Sequence, residues 1–528
     1  MKKSIKKKII LATSVIALGT GLIGRYFIEN TSHNIDPQKI VEEEPIKLIQ
    51  YDKEFVNSYR STISDTEKEV TKESLPLEHV VKYTDLCIKY GFDDYNKLNA
   101  MVTSNIDWET NMIRLHKGRK LYNFGEEQNF LRILVGLSEI TGNKKYKELA
   151  KNIVISSLNT LQREESGLLC WGGHMAYDME KDEMYGRTHE LKYFFPFYEL
   201  MFEVDEERTE LVINAFWEAH IKYWDRLDFT RHGIEGLAIE FKREDIWKRK
   251  FTGKKVPFNG SYTFMNTGSD LFYSAAVLSK LTGKQDYLTW AKRLASRYVE
   301  GRNKNTGLGG HQFTLFGNQD RGIEQFGQEF GDKITEFTLV DFYGRYSTVA
   351  IVQMRLEEII GGDGRDFCKW GLEDLKAWGN RLYSPKTNEY YAALIDGTIL
   401  SKEDCKRDGY FGTEIFTPRK IHPTHFYAFS LGYKKSKEKF YLDIAENMGR
   451  FLKESNAENE NNIFGYIELF KATGNTKYIE EARRISQKYL NMGGKFPNSR
   501  IALAILHLYH LNDEIPFDVV STGTFEYI

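Results

Sequence analysis

Cysteine is scarce in this chain. Four residues (Cys87, Cys170, Cys368 and Cys405) are scattered over 528 positions with no CxxC pair and no dense framework, which argues against thiolate metal binding and against a disulfide scaffold. Proline is equally thin at 10 residues, so long helices can run uninterrupted. Net charge is nearly absent: 73 Lys and Arg against 75 Asp and Glu leave a formal −2. So balanced a chain has no global pull on a polyanion. No nucleic-acid partner is expected, and any anionic ligand must be met by a local basic cleft. A long membrane-spanning run is missing too. The most extended apolar stretch, 9–24, has 16 residues, short of the ~20 that a spanning helix needs.

What is present begins at the N-terminus. Lys2, Lys3, Lys6, Lys7 and Lys8 precede the apolar stretch, and Arg25 closes it, as in a secretion signal. Residues 1–28 therefore read as a signal peptide. Small residues at Ala17-Leu18-Gly19 and Gly19-Thr20-Gly21 leave the cleavage point open, so an uncleaved signal anchor is the alternative. Either way the protein is exported (periplasmic, secreted or membrane-anchored), and that segment is its one expected link to a membrane. The polar stretch 29–76 reads as a linker or N-terminal arm. Residues 77–528 form the folded domain. A hydrophobic fraction of 41%, with 31 Tyr and 34 Phe, is ample to fill the core of one large helical barrel.

One pattern recurs three times. Leu137, Thr141-Gly142, Tyr146 and Ala150 are matched by Leu278, Thr282-Gly283, Tyr287 and Ala291, and by Leu469, Thr473-Gly474, Tyr478 and Ala482. Four-residue steps put the Tyr and the Ala on one helical face. The Gly between them ends the preceding helix with a left-handed cap. Each unit is thus an antiparallel helical hairpin with a tight turn. Two more hairpins lack the Thr-Gly signature: 191–202 with 209–224, and 425–451 folded back near Lys435. Five to seven pairs are expected, in an all-α chain whose fold class is an α/α toroid. Closure is favoured over an open solenoid because the units differ in length and long Gly-rich connections such as 301–331 interrupt them, as loops over a barrel mouth would. A minor β-element is expected at 390–400, where Asp396-Gly397 offers a hairpin turn.

Topology narrows the search for a site. If the tight turns share the bottom, helices starting near Lys145 and Arg208 rise to the top. The loops that follow them contain Trp171-Gly172-Gly173-His174 and Thr230-Arg231-His232-Gly233, and a descending helix is expected to open at His189-Glu190. Three segments therefore converge on one rim. His174, Glu190 and His232, two imidazoles and a carboxylate, suit a divalent first-row metal better than Cu(I). Arg231 stands beside them to bind or deprotonate a substrate. The alternative is that both histidines are loop or core residues bonded to backbone carbonyls. His189 is a second candidate ligand, or a residue that caps or packs at a helix start.

The order Gly-Gly-His, then His-Glu-Leu-Lys opening an aromatic helix, then Arg-His-Gly after a Trp-rich helix resembles polysaccharide lyase family 2 over 171–233. The resemblance implies an α/α barrel with its cleft at the mouth. It implies His174, Glu190 and His232 as ligands of a divalent transition metal, Mn²⁺ foremost with Ni²⁺, Co²⁺ or Fe²⁺ as alternatives, and Arg231 as the Brønsted base. The partner it implies is an acidic polysaccharide or oligogalacturonide, and the reaction is that of a pectate lyase, β-elimination on galacturonan. Arginine normally keeps its charge, so outside the resemblance Arg231 reads as a bidentate carboxylate clamp. Arg187, Lys192, Lys248 and Arg321 are candidate contacts for uronate carboxylates, and Trp171 for a sugar ring, although core packing explains an isolated Trp equally well. Gly309-Gly310-His311 echoes the first Gly-Gly-His, so Gly-Gly reads partly as a feature of mouth loops. The competing functions are another toroid carbohydrate enzyme, such as an unsaturated uronyl hydrolase or a sugar epimerase, and a non-catalytic glycan-binding protein.

Overall fold

The repeated Leu–Thr–Gly–Tyr–Ala pattern finds its physical reason in the computed structural model. It describes residues 70–71, 73–95, 99–241, 245–253, 268–310, 323–325, 327–328, 337–338, 345–405 and 416–511, apart from the side chains of 187, 188 and 345. The leader 1–28, nearly all of the arm 29–76, and His311 lie outside these residues. At each repeat the Thr hydroxyl donates back to the Leu carbonyl four residues earlier, at 2.6, 2.9 and 2.7 Å for Thr141, Thr282 and Thr473. It also accepts the backbone N–H two residues on. Gly142, Gly283 and Gly474 then take φ of 71°, 73° and 69°, a region costly for any residue with a Cβ. The Tyr that follows donates its hydroxyl to an acid on the neighbouring outer helix: Tyr146 to Asp85, Tyr287 to Glu210, Tyr478 to Glu446. The repeat thus encodes both the turn within a hairpin and the contact between hairpins.

The helices run in order α1 (Pro76–Gly91), α2 (Gln128–Thr141), α3 (Lys144–Leu161), α4 (Tyr198–Val204), α5 (Glu206–His220), α6 (Glu235–Phe241), α7 (Gly268–Thr282), α8 (Gln285–Glu300), α9 (Arg345–Ile360), α10 (Arg365–Arg381), α11 (Pro423–Ser436), α12 (Lys439–Glu454), α13 (Glu460–Thr473), α14 (Thr476–Leu490) and α15 (Ser499–His510). They sort into two rings. Residues 128–138 of α2, 268–279 of α7, 423–432 of α11, 461–469 of α13 and 499–508 of α15 are buried without interruption, as befits helices with other helices on every side. Helices α8 and α14 instead bury one stripe, Tyr287, Leu288, Trp290, Ala291, Leu294, Ala295 and Tyr298 in the first case, and form part of the outer ring. Consecutive inner helices pack on one another from α7 through α9, α11, α13 and α15 to α2. The last pair joins the two ends of the domain: α15 packs on α1, and the Trp108 indole N–H donates to the Phe496 carbonyl at 2.6 Å. Seven pairs among the described residues close the toroid, the upper end of the expected range.

Two expectations need correction. The helix expected over 191–202 begins only at Tyr198, because Tyr193 and Phe195 adopt φ of 58° and 45° and Pro196 follows. The helix expected over 209–224 ends at His220, where the chain turns into a hairpin, Ile221–Tyr223 with Asp228–Phe229. An antiparallel sheet that the sequence reading did not anticipate also stands above the barrel: β1 (Leu121–Tyr122), β2 (His174–Asp178) and β3 (Glu183–Thr188), in that order. The β-element near 390–400 is present as expected. Strands Glu389–Tyr390 and Ala393–Leu394 lie there, with Gly397 turning at φ 94°.

Candidate metal centre

Three rim segments meet where the topology places them. His174 opens β2, Glu190 follows β3, and Arg231-His232 follows the hairpin after α5; Glu190 and His232 form an antiparallel bridge. The Leu191 N–H donates to the Arg231 carbonyl at 2.9 Å, and the Gly233 N–H to the His189 carbonyl at 2.7 Å. Asn123, just beyond β1, pins the remaining strand of this junction. Its amide donates to the carbonyls of Gly172 at 2.9 Å and Met175 at 3.2 Å. The two glycines before His174 are there for space. Gly172, at φ 122°, lies so near Glu190 that a Cβ would stand 2.6 Å from its carbonyl oxygen. A Cβ on Gly173 would collide with Glu190 Oε2 itself. Gly-Gly is therefore the condition for admitting this carboxylate, beyond any general feature of mouth loops.

Glu190 sits at the centre. Its side chain is 1% exposed and lies 3.0 Å from His174 Nε2, 3.3 Å from Arg231 Nε, 3.5 Å from His232 Nε2 and 3.9 Å from Lys192 Nζ. Burial alone would raise its pKa, but His232, Lys192, Arg231 and His174 outweigh it and hold the carboxyl below its ordinary value. Both Glu190 oxygens and His232 Nε2 are nonetheless buried without a hydrogen bond of good geometry. Each such atom costs about 1–3 kcal/mol if left unsatisfied, so the cluster is arranged for a ligand that accepts their lone pairs. One donor atom from each of His174, Glu190 and His232 lies within 4.8 Å of the others. Two imidazole nitrogens and a carboxylate oxygen make a set that fits a divalent first-row metal.

Behind the three candidate ligands lies a supporting layer that the sequence reading did not single out. The Asp270 carboxylate, at the start of α7 and 1% exposed, accepts the N–H of Tyr193 at 2.7 Å and of Phe195 at 3.4 Å. It thereby holds the left-handed segment that replaces the expected helix. Burial pushes its pKa up to about 7 against the pull of those N–H groups. Nothing local announces this role, since 77 residues separate Asp270 from Tyr193.

The remaining candidates divide. Lys192 is buried beside Glu190. Trp171 is 2% exposed, with its ring packed edge-on against His189 and Phe194. It supports the site from beneath, and the sugar-platform expectation is corrected by this burial. Lys248 pairs with Asp286 in the first turn of α8. That turn lies next to the start of α5, where Lys284 meets Glu210, whereas the site lies beyond the far end of α5. Lys248 is thus at the wrong end of the barrel for a substrate contact. Arg321 and the side chain of Arg187 lie outside the described residues. His189 bonds His220 through Nδ1 and is not among the three residues whose donor atoms converge.

Residues 97–499 match the family described as periplasmic pectate lyase. A pectate disaccharide-lyase of Dickeya dadantii (strain 3937) is 31% identical over 317 residues, which span 55% of this chain and 58% of that protein. The match thus covers less than two thirds of the relative's length. Among solved structures, cellobiose 2-epimerase from Bacillus thermoamylovorans B4167 aligns over 76% of this chain and 87% of its own at a TM-score of 0.42 and 11% identity. An inactive variant of the α-1,6-mannanase GH76A of Salegentibacter sp. HEL1_6 aligns over 82% of this chain and 100% of its own at 0.38 and 12%. Likeness at these scores bears neither on the reaction nor on the site.

Proposed function

The chain belongs to the periplasmic pectate lyase family, and on that premise we propose that it is a metal-dependent pectate lyase cleaving polygalacturonate or a related acidic polysaccharide by β-elimination. An exported location accords with the family's description, and no helix among the described residues is long and apolar enough to cross a membrane. The observation that carries the reading is the buried Glu190 carboxylate, unbonded and faced by His174, His232 and Arg231 at the barrel rim.

His174, Glu190 and His232 would hold the metal. When bound, a divalent ion (Mn²⁺ first, with Ni²⁺, Co²⁺ or Fe²⁺ as alternatives) supplies positive charge beside the uronate carboxylate and so acidifies the neighbouring C5–H. Arg231, whose side chain is 41% exposed, reaches from this cluster towards solvent and is the group that the family resemblance assigns to take the C5 proton. The C5–H electron pair becomes the C4–C5 double bond, the C4–O bond breaks, and its electrons leave with the departing chain. Lys192 adds positive charge at the floor of the cleft, and Arg187 and Arg321 remain candidate contacts for further uronates.

The test is absorbance of the unsaturated uronide product on polygalacturonate, before and after chelation and after Mn²⁺ is restored. The reading expects a rise that chelation removes and Mn²⁺ returns, and that Arg231→Ala abolishes. Metal-loaded protein with no rise on polygalacturonate or other polyuronates would overturn it.

A further inference from the structure

His189 and His220 are both fully buried, and neither points at the three ligands. His189 Nδ1 lies 2.8 Å from His220 Nε2, and His220 Nδ1 lies 2.7 Å from the Thr230 carbonyl oxygen. A carbonyl only accepts, so His220 Nδ1 carries a proton and donates it to Thr230. In the neutral ring Nε2 is then a bare acceptor, which makes His189 Nδ1 the donor to it. The chain His189 Nδ1–H to His220 Nε2, then His220 Nδ1–H to Thr230 C=O, therefore runs in one direction.

Its two ends are informative. His189 adjoins Glu190, and Thr230 stands two residues before His232, whose N–H donates to the Thr230 hydroxyl at 3.3 Å. His220 is the last residue of α5, a rigid element that contributes no ligand. Its ring thus fastens both ligand-bearing segments to one helix end. The packing agrees. The His189 ring is wedged against Trp171 and Phe216 at 5.2 Å each. Gly233 leaves room for the pair, since a Cβ there would stand 3.2 Å from His220 Nε2 and 3.3 Å from His189 Cβ.

We propose that the His189–His220 pair is a positioning device that sets the spacing between Glu190 and His232 and thereby the metal affinity of the centre, without itself binding metal. The inference rests on the metal reading above. Groups behind metal ligands typically govern affinity by about 10–100-fold, and a strap joining two ligand segments acts at that level.

Mn²⁺ titration calorimetry on the metal-stripped full chain tests it, with wild type and Glu190→Gln as references. His189→Leu removes the donor and is expected to weaken Mn²⁺ binding by about tenfold or more. His189→Asn keeps an N–H near the Nδ1 position and is expected to restore affinity to within about threefold, together with the visible spectrum of the Co²⁺-loaded wild type. If His189→Leu does not fold, Gly233→Ala, whose Cβ crowds both histidines, should weaken Mn²⁺ binding in the same direction. Wild-type affinity in His189→Leu, or a loss that His189→Asn does not rescue, would overturn the strap while leaving the metal centre in place. Absence of Mn²⁺ binding by wild type would overturn the metal reading and the strap together.

Discussion

Glu190 and Glu468 are both buried carboxylates ringed by cations, and the difference between them separates the two ends of the barrel. Glu468, on inner helix α13, accepts from Arg355 at 2.6 Å and pairs with Lys434 at 2.6 Å. Arg355 also bonds Tyr427 at 2.8 Å and pairs with Glu358, which meets Lys434 at 3.0 Å and Lys435 at 3.2 Å. These cations pull Glu358 far below the carboxylate range against its burial. That network ties the last turns of α9 and α11 to α13 through short ion pairs, with only one Glu468 oxygen, Oε2, left without a hydrogen bond of good geometry. Around Glu190 the cationic contacts are longer, up to 3.9 Å for Lys192, and neither oxygen is hydrogen-bonded. Short ion pairs between buried charges hold helices together, whereas longer contacts to a carboxylate with neither oxygen hydrogen-bonded keep coordination capacity in reserve.

That contrast can be broken by exchanging the two losses. Glu190→Gln should cut turnover on polygalacturonate on the order of 10²–10³-fold while costing less stability than loss of Glu468, because the ion pairs it gives up are longer. Glu468→Gln should do the reverse, costing about 3–5 kcal/mol of stability by breaking the buried pair with Arg355 and Lys434, with turnover per folded molecule preserved. Denaturant unfolding alongside the uronide assay reads both, and equal stability losses would dissolve the distinction. Gly173→Ala sharpens the comparison on the open side. The added Cβ displaces Glu190 Oε2, and Mn²⁺ affinity by calorimetry should drop about 10–100-fold.

Asp270 supplies a pH signature. Its folded pKa of about 7 lies above the ordinary 3.8, so the folded state holds a proton that the unfolded state releases. Its contribution is complete below pH 3.8 and is lost as the pH climbs through about 7. Wild-type stability should therefore fall by about 1.4 kcal/mol per pH unit across that window from this group. Asp270→Asn should flatten the slope in urea melts taken from pH 4 to 7. An unaltered slope would move the titration elsewhere. At the opposite end of the barrel the expected effects are smaller. Gly142→Ala meets no atom within 4 Å of its new Cβ, so its cost is the left-handed backbone alone, about 1 kcal/mol, with activity intact. Lys248→Ala should leave KM unchanged and stability within about 0.5 kcal/mol.

The same contrast explains what was legible in the sequence. The bottom of the barrel is written locally: Thr, Gly, Tyr and Ala act within one turn or one hairpin, so three tight turns could be read directly. The rim is assembled from distant parts. The candidate triad could be named because residue type and topology agreed at His174, Glu190 and His232, whose donor atoms the fold brings together. The segment behind it could not, because Tyr193 and Phe195 are held in left-handed backbone by Asp270 from another helix. The β2–β3 hairpin likewise depends on β1, which is remote in the chain. Trp171 and Lys248 were misjudged for one reason. Residue type suggested a substrate contact, but only packing distinguishes a buried ring from a platform, or one barrel end from the other. The seventh helical pair joins α1 to α15, and no spacing rule connects residues that far apart.

The most direct test is anomalous diffraction at the manganese edge from crystals of the metal-loaded protein. The account predicts one strong peak within bonding distance of His174 Nε2, the Glu190 carboxylate and His232 Nε2, absent in Glu190→Gln. A catalytically active crystal with no peak there, or with its manganese held elsewhere, would contradict it.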